Sequence, residues 1–406
     1  MATIGIKSIV KYLIYFSILA TPLYGLGEFI GYMGLIEYNR KEVLTPFFVK
    51  VLKDFMFITA SVLSIVIHRT LNFYSLVVLM FFIYITMLNM LNMLSVESLI
   101  LILAGIRSFL PLLFAIFIRK LVDLEFFKKI INLFLIVYIV SAIFAIVQFL
   151  FGKNHLYGLL FDKYFFRVVS FFVQPSSFGI FISIFTYFYF FLSPASNFTK
   201  IVVLILSGIL ILLTGSGISI SLYCFIVFYV FLIKSKDIIN RFIITYLSLP
   251  FIITMLLNLD KFTFREDIYV SGLERLEILF DFFQSSSITQ IFLGKGLGIG
   301  TNTLYTAFPD IADEYGQIPD SLYISLLYQT GIIGLAVFLL LNVLIFIRLL
   351  KNNINMAVGL LLIGLSGLTS NVLEFWPINL IYALLLSIAL GKGLRLEQNA
   401  LAKKPK

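Results

Sequence analysis

Three arginines and one aspartate are the residues of this chain best suited to chemistry: Arg167, Arg265, Arg275 and Asp320. A planar guanidinium can bind phosphate or pyrophosphate through two parallel N–H···O bonds, a geometry that lysine does not offer. A carboxylate at the start of an apolar helix can orient or deprotonate a hydroxyl. Each also has a plainer reading. Arg167 lies among aromatics, in Tyr164-Phe165-Phe166-Arg167-Val168, where an arginine can simply snorkel to lipid headgroups. Arg275 can pair with Glu274 or Glu277 on its own helix face, and Asp320 can be an N-cap. Arg107 is a different case. It falls near the middle of an apolar run, where a charge needs a cavity or a partner, and Glu28 or Asp54 could supply the opposite charge.

Arg265, Arg275 and Asp320 share the one long polar interval, 259–320, which holds ten of the 21 acids: Asp260, Glu266, Asp267, Glu274, Glu277, Asp281, Asp310, Asp313, Glu314 and Asp320. A polar loop of that length between apolar segments is a natural carrier of function. Within it Ser271-Gly272-Leu273-Glu274 has the form of a capping box, predicting a helix over about 272–284 that the run Ser285-Ser286-Ser287 ends. Leu273, Leu276, Leu279, Phe280 and Phe283 then share one face and Glu274, Glu277, Asp281 and Gln284 the other, so the helix is expected to lie on the membrane surface or cover the mouth of a bundle. Glycine recurs at every second position in Gly294-Lys295-Gly296-Leu297-Gly298-Ile299-Gly300. That spacing fits neither a Walker loop nor Gly-x-Gly-x-x-Gly; it suits a close-packed turn or an anion-binding nest. Tyr305, Tyr315, Tyr323 and Tyr328 could stack on sugar rings or anchor at the interface.

The elements that must position these residues are membrane helices. The chain is 61% hydrophobic and only 13% charged, far from the roughly 25% charge of soluble domains. The fold class expected is an all-α polytopic membrane protein. Apolar runs long enough to cross about 30 Å of hydrocarbon fall near 10–31, 47–67, 71–92, 98–118, 130–151, 176–193, 200–215, 217–233, 241–258, 321–347, 354–371 and 373–391. These predict about twelve transmembrane helices, with one large extracytoplasmic loop that contains a short amphipathic helix. The first run lacks the cleavage pattern of a signal peptide and is read as a retained span. Domain organisation follows: 1–258 carries helices 1–9 with an outer loop 152–175, 259–320 is the extracytoplasmic loop, and 321–406 carries helices 10–12 and a basic tail.

Bases cluster at Lys7, Lys11, Arg69, Arg119, Lys120, Lys128, Lys129, Lys200, Lys234, Lys236, Arg241, Arg348, Lys351 and the tail. All fall on one side of a twelve-span arrangement, which puts both termini in the cytoplasm and the acidic loop outside, where ATP is absent. The net charge of +9 is explained by that topology, and no nucleic-acid partner is expected. One cysteine and two histidines exclude a disulfide framework and a multi-histidine metal site. No metal or cofactor is expected.

The chain resembles the O-antigen polymerase and ligase superfamily of bacterial polysaccharide assembly. The likeness rests on Arg167 before Gln174-Pro175-Ser176-Ser177-Phe178-Gly179 and on the turn Leu213-Thr214-Gly215-Ser216-Gly217. It rests also on Arg275, the Gly296–Gly300 run, and Asp320-Ser321-Leu322-Tyr323-Ile324 leading to Gly331-Ile332-Ile333-Gly334-Leu335. The arginine that often follows Thr-Gly-Ser is replaced by Gly217. Asp320 stands where ligases of the superfamily carry histidine, which favours polymerase. The resemblance implies a metal-independent glycosyltransferase of lipopolysaccharide biosynthesis in the bacterial inner membrane. It would join oligosaccharide repeats carried on undecaprenyl pyrophosphate, with a chain-length regulator membrane protein as partner beside the lipid bilayer. On that footing Arg167 and Arg275 hold the pyrophosphate, Asp320 handles the acceptor hydroxyl, and Arg265, Arg107, Tyr323 and Gln174 are further substrate contacts. The alternatives are an O-antigen ligase and a flippase for lipid-linked sugar. A flippase should show two similar halves, and the chain shows no clear repeat.

Overall fold

A computed structural model describes residues 2–33, 35, 45–67, 76, 79–80, 83–84, 87, 96–151, 167–172, 174–234, 268–307 and 320–391. Among them the secondary structure is helical, with no strand. Five helices are long and apolar enough to cross a membrane, or six if the bent pair Gly5–Leu19 and Thr21–Gly31 is one span. The predicted runs near 71–92 and 241–258 lie mostly or wholly outside the described residues.

The chain divides into two compact units, one made of Met1–Thr21, Phe47–Leu133 and Arg275–Lys406, the other of Pro22–Pro46 and Phe134–Glu274. The first contains α1 (Ala2–Leu19), α3 (Phe47–Ile67) and α4 (Val96–Ile118), and α2 (Leu26–Tyr32) belongs to the second. α5 (Leu124–Phe151) carries the boundary between Leu133 and Phe134. In the second unit, α6 (Pro175–Leu192) is buried along nearly its whole length between α7 (Asn197–Thr214) and α8 (Gly217–Lys234). Pro175 sits at its first turn, where no amide hydrogen is needed. Phe172, Phe178, Phe181 and Phe185 stack in sequence along it. A Cβ on Gly179 would overlap Ser219, so glycine sets the close approach of α6 and α8. The hydroxyls of Tyr138, Ser207 and Thr186 bond across α5, α7 and α6 at 3.0 and 2.6 Å.

In the first unit, α9 (Ile268–Ser285, whose opening residues precede the boundary), α10 (Ile288–Leu293) and α11 (Asn302–Ala307) come from the polar interval. α12 (Leu322–Asn352), α13 (Ile354–Ser366) and α14 (Ile378–Leu390) follow. The helix predicted to start behind Ser271 begins at Ile268, so Ser271 is interior and no capping box forms there. The capping box belongs to α10: the Gln290 amide donates to Ser287 Oγ at 3.3 Å and the Ser287 amide to Gln290 Oε1 at 2.9 Å. Neither Leu273 nor Phe280 faces the protein. Ile278 and Phe282 are the α9 side chains buried against Leu101, Ile299, Leu304, Leu327 and Tyr328.

α12 is not one straight rod. Gly331, at φ 64°, interrupts it. A straight helix would hold Leu322 about 45 Å from Asn352 at 1.5 Å per residue. α13, however, brings the chain back only about 20 Å before the Gly367 carbonyl accepts from the Leu322 amide at 2.8 Å. The two meet because α12 folds back past a right angle at Gly331. The Leu322–Thr330 arm is enclosed by protein, whereas from Gly331 as far as Leu350 the exposed large side chains are apolar: Ile332, Ile333, Leu339, Leu340, Val343, Leu344, Ile347 and Leu350.

Candidate functional site

The enclosed arm of α12 positions most of the site. Arg275 and Asp320 come together there, with Nη2 and Oδ2 3.8 Å apart. Glu274 and Glu277 project outward from α9, and the N-cap of α12 is Ser321, whose hydroxyl donates to the Gly367 carbonyl at 3.2 Å. Asp320 is therefore exposed and aims its carboxylate at the half-buried Arg275. Farther along, the Phe282 and Tyr328 rings lie 4.8 Å apart and the Tyr328 hydroxyl donates to the Ile278 carbonyl. α9 thus runs beside the arm in the same direction and holds Arg275 at its start. The Tyr323 hydroxyl is committed to the Gly364 carbonyl at 2.7 Å, which locks the arm onto α13 and leaves that group engaged within the protein.

The glycine run is the close-packed turn rather than the anion nest. Gly294, Gly296, Gly298 and Gly300 all have positive φ, from 76° to 135°, a region that only glycine enters readily. A Cβ on Gly298 would overlap the Leu101 carbonyl of α4, and one on Gly294 the backbone of Gln329. The Gly298 amide donates to Gln329 Oε1 at 3.2 Å, Gln329 to Ser325 at 3.1 Å, and Ser325 to the Gly300 carbonyl at 2.8 Å. Asn371 also donates to Ser325. Lys295 lies over two aromatic rings. Its ammonium lies 5.1 Å from the Tyr328 centroid and 5.5 Å from that of Phe282, and it donates to Ser285. Burial against those rings pulls its pKa below the ordinary lysine value, partly opposed by Asp281.

The turn brings Thr303 against α4, where Arg107 donates to Asp54 at 2.6 Å and to Thr303 at 3.1 Å. Of the two acids named for Arg107, Asp54 is the partner; Glu28 belongs to the other unit, where it accepts from Thr45. The Asn302 amide donates to Glu374 Oε2 at 2.8 Å, and the other Glu374 oxygen is buried with no hydrogen-bond donor. Sequence reading missed Glu374. Its signal was the polar break Thr369-Ser370-Asn371 ahead of Glu374, between two apolar runs.

Arg167 and Gln174 belong to the second unit. Arg167 does not snorkel: it is buried and donates from Nε to the Thr214 carbonyl at 2.8 Å, at the end of α7, where Gly215 turns the chain at φ 56°. The neighbouring Val169 and Ser170 amides both donate to Gln148 Oε1. Two stretches far apart in sequence, the arginine and the Thr-Gly-Ser turn, are thus one local structure. Gln174 is exposed at the N-cap of α6 and makes no side-chain capping bond. Arg265 lies outside the described residues. No family model matches this chain, and no curated protein matches it.

Proposed function

We propose that this protein is a membrane-embedded glycan polymerase of the O-antigen type, joining oligosaccharide repeats carried on undecaprenyl pyrophosphate at the outer face of the bacterial inner membrane. The observation that carries the reading is the pairing of Arg275 with Asp320. It sets an anion-binding guanidinium and a hydroxyl-binding carboxylate a few ångströms apart, the two groups such a transfer requires. The acceptor hydroxyl attacks the anomeric carbon, the bond to the pyrophosphate oxygen breaks, and the hydroxyl proton passes to Asp320. Arg275 stabilises the charge gathering on the departing lipid pyrophosphate. The twelve-span topology, the cytoplasmic termini and a chain-length regulator as partner form part of the same proposal. The resemblance in sequence supports it, as does the joining of Arg167 to the Thr214 turn.

The test replaces the native gene by Arg275→Ala and Asp320→Ala at matched membrane levels and resolves the surface glycan on a gel. A single repeat on the core is the expected result. A full ladder from both variants overturns the site assignment, and a bare core identifies a ligase instead.

A further inference from the structure

α9 has three faces rather than two. At 100° per residue, Arg275, Ile278, Leu279 and Phe282 form one sector, which packs inward. Leu273, Leu276, Phe280 and Phe283 form a second, exposed at 58%, 50%, 62% and 42%. Glu274, Glu277, Asp281 and Gln284 form the third, also exposed. A helix set against protein on one side only, between oil and water, needs just this division. α10 continues the apolar surface with exposed Ile288 and Phe292.

The depth of this surface follows from α12. A Cβ on Gly331 would overlap the Phe292 carbonyl, so α10 sits at the level of the fold-back. From Ile332 to Asn352 α12 extends about 30 Å, the thickness of the hydrocarbon layer, and its apolar exposed face begins at that same level with Ile332 and Ile333. Exposed apolar side chains thus occur on α12 just past Gly331 and on α10, whose Phe292 carbonyl lies against Gly331.

We infer that the apolar sector of α9, with Ile288 and Phe292 of α10, is immersed in the bilayer interface, making this segment a lipid-surface anchor within a membrane protein. The occupant is the acyl boundary rather than anionic headgroups, because the sector that flanks it is acidic and would be repelled by them.

Spin labels test it in the full-length protein in zwitterionic lipid nanodiscs, with Cys224→Ser as background and single cysteines at Leu276, Phe280, Phe283, Glu277, Asp281 and Gln284. The first three should collide with oxygen and be shielded from a water-soluble nickel chelate, and the last three should show the reverse. Chelate access at 276, 280 and 283 equal to that at 277 and 281 overturns the inference. So does shielding of 276, 280 and 283 from both relaxants, the sign of a second copy or another protein covering the face. Glycan assembly is not read, so failure of the proposed reaction leaves this result standing.

Discussion

Arg107 and Asp54 meet at 2.6 Å between α4 and α3, and the same guanidinium reaches Thr303 from the polar interval. One cation thus ties α3 and α4 to α11. Removing either partner strands a largely enclosed charge, so Arg107→Leu and Asp54→Leu should each lower stability by about 1.5–3 kcal/mol, the range for charged hydrogen bonds. The double variant should lose less than the sum. Thermal unfolding of the four proteins in detergent measures the coupling; additive losses would show the contact to be incidental.

Arg167 is buried and bonded to the Thr214 carbonyl. Arg167→Ala leaves the Thr214 carbonyl without its donor in a buried setting, and a loss of about 1.5–3 kcal/mol is expected, seen as lowered Tm and reduced yield in the membrane. Gln174→Ala, at an exposed position with no capping bond, should stay within about 0.5 kcal/mol of the parent. Loss of glycan in Arg167→Ala at normal Tm and yield would instead assign the arginine to substrate.

Most of this helical scaffold is written in hydropathy. The run predicted over 47–67 is α3 itself, and those over 176–193, 200–215 and 217–233 lie within three residues of α6, α7 and α8 at each end. Apolar length decides these elements, and length survives in a single sequence. The site was legible as residue types but not as partners. Asp320 looked like an N-cap because the hydroxyl of Ser321 was free, in sequence, to serve as anything; the Gly367 carbonyl, 46 residues on, claims it. The fold-back at Gly331 left no local mark beyond one glycine in an apolar helix. Glu374 was hidden because a hydropathy window averages one acid away among its neighbours.

Two glycines of the polar interval should respond oppositely to alanine. Gly298 has φ 89° and lies against the Leu101 carbonyl, so Gly298→Ala meets both left-handed strain of about 1–2 kcal/mol and backbone overlap. It should lower Tm sharply. Gly272 sits within α9 with open space around its Cβ position. Gly272→Ala removes a helix-interior glycine and should stabilise by about 0.5–1 kcal/mol, and thermal unfolding reads both. Equal effects would mean that the turn does not depend on its glycines.

Glu374 Oε2 accepts from the Asn302 amide at 2.8 Å. Glu374→Ala removes that acceptor and should lower stability by about 1–3 kcal/mol, the cost of a stranded donor. Glu374→Gln keeps an acceptor at the same reach and should lose less. Thermal unfolding of both variants in detergent reads the difference, and equal losses would mean that the bond to Asn302 does not hold this turn.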